Sequence, residues 1–244
     1  MGEFIGQYSV KGFSLIELAM VLFIISLLLG GLLVPLATQT QTRQRVSAEE
    51  QLEQIREALI GFAIINGRLP CHTTENNPLV AGYGEEDPLP CNPAEDTAGW
   101  VGDGILPWKT LGLNNALDPW GVQRTAAGDP WVGHFRYRVR LNFTTQFALT
   151  TPVDTDRLCV RDANANLLVA TSETPVAIVY STGSNQAEDG LNATFEDTST
   201  SSDCVNNAPI TYQGGNLINN FDDIVVWLTR PLVFNRMVSA GVLP

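Results

Sequence analysis

Between Ser181 and Asp203 the chain reads STGSNQAEDGLNATFEDTSTSSD, which sets five carboxylates among many side-chain oxygens with almost no apolar anchor. Unassisted, such a loop repels itself and stays loose. A hard cation would order it, because calcium takes about six to eight oxygen ligands and tolerates irregular loop geometry. The competing reading is a solvated acidic loop held by a bridge at Cys204. A second carboxylate of chemical interest, Glu17, stands at the mouth of a long apolar run, where an ionised group is costly without a partner.

Other chemistries find less support. There is no GxSxG, HExxH or phosphate-binding loop. The carboxylates of DTD at 154–156 and of FDDI at 221–224 have no second functional class in register with them, so no enzymatic role is expected. Zinc would recruit His72 and His134, the two histidines of the chain, but their spacing to the cysteines matches no standard site. Asn-Ala-Thr at 192–194 is a glycosylation acceptor only in a eukaryotic secretory context.

Charge and cysteine usage bound the setting. The 244 residues carry 26 acidic against 14 basic side chains, a net charge of −12. Phosphate backbones would be repelled, so nucleic acid is not an expected partner of the whole domain. The strand-like HFRYRVRL sends Phe135, Tyr137, Val139 and Leu141 one way and His134, Arg136, Arg138 and Arg140 the other. That basic row reads as a solvated or salt-bridged face rather than a DNA contact. None of the four cysteines lies in a CxxC pair, and an even count reads as two disulfides made in an oxidising compartment. The simplest pairing joins Cys71 to Cys91 and Cys159 to Cys204; the other two connectivities stay open.

The elements that position these groups begin with the apolar run. Leu18 to Ala37 holds no charge, the length a bilayer-spanning helix requires. A cleaved secretory signal fits poorly, since VPLATQ is a weak cleavage site. A plain anchor would make Glu17 a boundary charge, and Lys11 before the run against Arg43 and Arg45 after it leaves orientation ambiguous. Beyond it Leu52, Ile55, Leu59, Phe62 and Ile65 recur at three- and four-residue spacing among charged residues, predicting an amphipathic continuation. Asn66-Gly67 and Pro70 stop it. Pro35 and Gly30-Gly31 are candidate bends.

The string KGFSLIEL at Lys11–Leu18 resembles the processing site of type IV prepilins and pseudopilins. The resemblance implies a cut by a prepilin peptidase between Gly12 and Phe13, N-methylation of Phe13, and a pairing of Glu17 with the freed Phe13 amine during subunit docking. It further implies an inner-membrane single-pass precursor with a periplasmic globular domain, then a periplasmic or cell-surface filament of self and other pilin-like subunits built on an inner-membrane assembly platform. The function so expected is that of a filament subunit, inserted in the membrane and polymerised through its N-terminal helix. The alternative is a minor or tip binding module that contacts secreted substrate, a surface or DNA.

From 67 to about 117 the composition predicts a long loop with packed turns, clipped by Cys71–Cys91. DPWG at Asp118–Gly121 is a strong turn signal. Strands are expected at HFRYRVRL, Thr145–Thr150, Leu158–Arg161, Val176–Tyr180 and DDIVVWL, with helical spacing at Val233, Met237 and Val238 near the end. One long helix followed by antiparallel strands is an α+β arrangement. The expected layout is a leader at 1–12, a transmembrane half-helix at 13–38, an amphipathic half at 39–66 and a pilin-like globular domain at 67–244. DPWG, FRYRV, YSTGSNQAEDG and FDDIVVW together resemble the major pseudopilin of type II secretion, despite the inserted stretch 144–175, the four cysteines and a longer C-terminal segment. That resemblance implies a calcium site held by Glu188, Asp189, Asp222 and Asp223, with backbone carbonyls near Ser184 and Asp197 in reserve.

Overall fold

Ser14 and Glu17 start the first helix together. The Ser14 backbone N–H donates to Glu17 Oε2 (3.0 Å), and the Glu17 N–H donates to Ser14 Oγ (3.2 Å). This reciprocal pair is a capping box, which satisfies two of the donors a helix start leaves open. Helix α1 then runs Leu15–Asn66. It ends where Gly67 takes up a φ of +70°, a conformation suited to a residue with no Cβ. The computed structural model describes residues 12, 14–89, 91, 104–151, 158–170, 173, 175–190, 192, 210–215 and 221–243, without the side chains of 29–37 and 210. The chain divides into two compact units, Met1–Arg43 and Gln44–Pro244.

In the first unit, Leu15 to Leu28 carry exposed side chains that are almost all apolar apart from Glu17 and Ser26. Among the described residues, no helix is long and apolar enough to cross a membrane. The hydrocarbon core is about 30 Å thick and needs about 20 residues. This corrects the expected membrane-spanning half of α1. It also overturns the single-pass inner-membrane placement and the membrane-inserted, polymerising filament mechanism, both of which depended on that half.

In the second unit, α1 buries Ala48, Leu52, Ile55, Leu59, Ile60 and Ala63. The stripe follows 48, 52, 55, 59 and 63, which keeps to one side of a helix with 3.6 residues per turn. The expected continuation through Phe62 and Ile65 drifts off that side. Ile65 is 83% exposed, and Phe62 instead lies under the Arg68 guanidinium at 5.2 Å.

The stripe packs on a four-stranded antiparallel sheet of β1 (Gly104–Ile105), β2 (Arg136–Val139), β4 (Pro175–Ser181) and β6 (Ile224–Thr229), in the order β1-β2-β4-β6. Tyr137 pairs with Val179, and Tyr180 with Val225. Helix α2 (Arg230–Ser239) opens with Pro231 in its first turn, where a missing N–H costs nothing. Its Val233, Phe234 and Met237 join the same core. The remaining strands, β3 (Leu158–Arg161) and β5 (Ile210–Gln213), pair parallel in a separate sheet. A second core of Leu158, Val160, Val169 and Tyr212 lies against Ile178 and Tyr180 of β4. Every residue of β4 is therefore buried, and PVAIVYS reads as a continuous apolar run because both faces are covered.

Two expectations need local correction. No strand forms at Thr145–Thr150; a 3-10 turn at Leu141–Phe143 and irregular turns occupy that region. His134 and Arg140, expected in the solvated row, are each 2% exposed; both lie outside β2, so its in-and-out alternation does not set their direction.

The bridge Cys71–Cys91 forms, with Cα atoms 5.6 Å apart. Its loop is also held by Arg68, whose two terminal nitrogens donate to the two Glu86 oxygens at 2.7 Å each. Tyr83 of that loop meets Trp108, which lies beyond it in the chain, edge-on. Cys159 is buried, and no described cysteine is free. Cys204 lies outside the described residues.

Candidate functional site: an acidic cluster beneath the β4 loop

β4 ends at Ser181 and releases the chain into a turn whose course is fixed by side-chain oxygens. Gly183 has a φ of +66°, and a Cβ there would stand 2.6 Å from Asp222 Cγ. Only glycine combines that backbone conformation with so close an approach. Asp222 Oδ2 accepts from the Ser184 N–H (2.7 Å), Ser184 Oγ (2.6 Å) and the Asn185 N–H (3.0 Å). Asp189 Oδ2 accepts from Asn185 Nδ2 (2.9 Å) and the Asp222 N–H (3.1 Å). Asp223 Oδ2 accepts from the Asp189 N–H (3.0 Å) and Asn192 Nδ2 (2.8 Å). Each of the three aspartates is thereby oriented through one of its oxygens.

The other oxygens are what make the arrangement chemically distinctive. Asp189, Asp222 and Asp223 each offer a carboxylate oxygen within 4.8 Å of the others. Oδ1 of Asp222 and Oδ1 of Asp223 are buried with no hydrogen-bond partner. Asp223 is 1% exposed. Its carboxyl is pushed up to about 7, chiefly by burial, with the charges of Asp189 and Asp222 acting in the same direction against its own hydrogen bonds. A buried carboxylate oxygen without a donor is costly. A divalent cation satisfies it, and all-oxygen ligands of this kind suit calcium or magnesium rather than a soft metal.

The sequence-derived site residues separate at this point. Asp189, Asp222 and Asp223 come together. Glu188 turns away from them: its Oε1 accepts from Tyr180 Oη (3.1 Å) and lies 3.8 Å from Arg136 Nε. Successive residues of an irregular turn point in different directions, and the neighbouring β2 arginine provides the better electrostatic partner. Asp197 lies outside the described residues. His134 is buried and edge-on to Trp131, with Nδ1 3.1 Å from the Val132 carbonyl oxygen. Burial lowers its pKa to about 4.

Asn192 is a residue that sequence reasoning missed. It is fully buried, and besides holding Asp223 it exchanges two hydrogen bonds with the Gln213 backbone. It thus ties the cluster to β5. Its place in Asn-Ala-Thr drew attention to glycosylation, which a buried amide cannot undergo; no local signal marks the actual role.

At the other end of the chain, Gly12 is exposed, with open space where a Cβ would stand. Phe13 lies outside the described residues. Glu17 is exposed and engaged by Ser14 in the capping box. The Ser-x-x-Glu spacing that signals this box was present in FSLIE and gives Glu17 a local task besides any pairing with an amine.

No curated protein and no solved structure matches the chain. Residues 8–33 match the family model of the prokaryotic N-terminal methylation motif. The chain therefore carries the N-terminal motif typical of type IV pilin and pseudopilin precursors.

Proposed function

We propose that this chain is a non-catalytic precursor of the pilin and pseudopilin class, cut and methylated at its N-terminus, whose C-terminal unit is stabilised by a bound calcium ion. The single observation that carries the cation reading is the unpartnered, buried Oδ1 of Asp223 beside Asp222 and Asp189. Three carboxylates whose second oxygens are already held by backbone and amide donors need little rearrangement to receive an ion, so the ordering cost is small. The oxygen count and loop geometry favour calcium over magnesium, which demands near-ideal octahedral ligands. The methylation motif supports the first half of the reading, with a prepilin-peptidase-like enzyme as partner.

Thermal unfolding of the full-length chain tests the cation. Calcium at about 100 times its Kd stabilises the folded state by about 2.7 kcal/mol, and the midpoint rises accordingly. An equal midpoint in calcium and in chelator would remove the cation from the reading.

Processing is tested by mass spectrometry of the N-terminus. Cells with a prepilin peptidase should yield a chain that begins at a methylated Phe13. Gly12→Val should remain uncut. Because a Cβ at position 12 meets nothing within 4 Å, loss of cutting there reports recognition by the enzyme and not damage to the fold. Cutting of Gly12→Val at the same bond would defeat the assignment.

A further inference from the structure

The acidic cluster is held from one side by a second turn, Asp118–Gly121, distant in sequence. Asp118 is 4% exposed. Its Oδ1 accepts from the Trp120 N–H at 3.0 Å, its carbonyl accepts from the Gly121 N–H at 3.0 Å, and its own N–H donates to Gly133 O at 2.8 Å. Gly121 and Gly133 pass so closely that a Cβ on Gly133 would stand 2.3 Å from Gly121 Cα. The turn is also tied to α1, where Gln44 Nε2 donates to Pro119 O at 3.4 Å.

From this anchored turn two bonds reach the loop that covers the cluster. Ser181 Oγ donates to Asp118 Oδ2 at 2.5 Å and accepts from the Gly183 N–H at 3.1 Å. Gly183 is the residue seated against Asp222. At the far side of the loop, Gln186 Nε2 donates to Trp120 O at 3.1 Å. Gln186 has a φ of +61°, uncommon for a residue with a side chain and therefore maintained by its surroundings.

We propose that Asp118 is a positioning residue for the cation site: through Ser181 and Gly183 it sets the loop over Asp222 before an ion arrives. This rests on the reading that Asp189, Asp222 and Asp223 take a divalent cation. A short loop of small polar residues has many conformations, and an ion that must select one of them binds more weakly by that fraction. The turn removes this cost by holding the loop at both its base and its tip. Burial raises the Asp118 carboxyl pKa, an effect the Ser181 bond partly opposes. One Asp118 oxygen is held by the Trp120 N–H of its own turn and the other receives Ser181 Oγ, which fixes the direction in which the loop leaves β4.

The test is calcium titration of the full-length chain by calorimetry, at a temperature well below every variant's chelator midpoint. Asp118→Asn leaves Trp120 an acceptor and sets an amide NH2 against Ser181 Oγ. Its calcium Kd should rise about 10- to 100-fold, as for other residues that orient metal ligands from behind. Gln186→Ala removes the tie at the loop tip from a solvent-exposed position and should weaken binding in the same direction. Tyr137→Phe removes a distant buried bond to Pro70 O; its Kd should equal that of the wild type although its midpoint falls. An unchanged Kd in Asp118→Asn, with a lowered chelator midpoint, would reduce Asp118 to a structural role and overturn the proposal. Should Asp118→Asn fail to fold, an unchanged Kd in Ser181→Ala, which removes the same bond from its other end, overturns it instead. Absence of binding by the wild type would remove the cation reading itself and this proposal with it.

Discussion

Asp223→Asn makes the chain more stable in chelator at pH 8 and unresponsive to calcium. The two effects have one origin. In the cation-free chain Asp223 titrates at about 7 instead of 3.8 because it is buried, with Asp189 and Asp222 adding repulsion. Between about pH 4 and 7 the folded chain thus holds a proton that the unfolded chain has lost. The stability this group contributes is full below the unfolded value and is lost as pH rises through about 7. Asparagine is neutral throughout and so places no like charge beside Asp189 and Asp222. The stability difference between variant and wild type in chelator should therefore grow from near zero at pH 4 and level off above pH 7. The shift from 3.8 to about 7 sets a ceiling of about 4 kcal/mol. His134 acts in the opposite sense, present above 6.5 and lost as pH falls through about 4, but it is common to both chains and cancels in the difference. Calcium should reverse the ranking, since the wild type gains and the variant does not. A variant that is the less stable chain at pH 8 in chelator, or that keeps the calcium-dependent rise, would contradict the arrangement described for Asp223.

Removal of the Cys71–Cys91 bridge by paired serines should cost about 3 kcal/mol, as expected for closing a loop with a sequence separation of 20. For a unit of this size that is a fall of about 6–12 °C in midpoint. The Arg68–Glu86 pair and the Tyr83–Trp108 contact persist in the folded state without the bridge, so the loss falls mainly on the restriction of the unfolded chain. The calcium Kd should be unaltered, because the loop at 71–91 makes none of the hydrogen bonds that orient Asp189, Asp222 and Asp223. A midpoint in the paired-serine chain equal to that of the wild type would show that native contacts alone hold the loop.

Much of this architecture could be read from local patterns. The alternation in FRYRV placed Tyr137 and Val139 inward, and DPWG made a turn, because both signals act over a few residues. The stripe on α1 was legible as far as Leu59; past that point Phe62 fitted the spacing but not the face, and Ala63, too small to stand out as hydrophobic, took the buried position. β5 passed unnoticed because its four residues form a strand only through their pairing with β3. In the site, FDDI and the acid after Glu188 were visible as carboxylates, but which of Glu188 and Asp189 pointed inward depended on Arg136 and Tyr180 from other strands. The tasks of Asp118, Ser181 and Asn192 were illegible for the same reason, since each acts across at least 20 residues of sequence. The apolar N-terminal run invited a membrane reading from composition alone, and among the described residues no helix is long and apolar enough to cross a membrane.

The double burial of β4 has a consequence for how the domain comes apart. Val179 belongs to one core and Ile178 to the other, so neither layer can peel away without exposing the strand they share. Two layers fused in this way open as one cooperative unit, and the β4 amides should exchange with solvent only when the whole unit unfolds. The acidic loop grows directly from the C-terminal end of that strand. An ion seated there is linked to global opening and not to local fraying, so its binding free energy would slow hydrogen exchange throughout both layers, well beyond the residues that hold it.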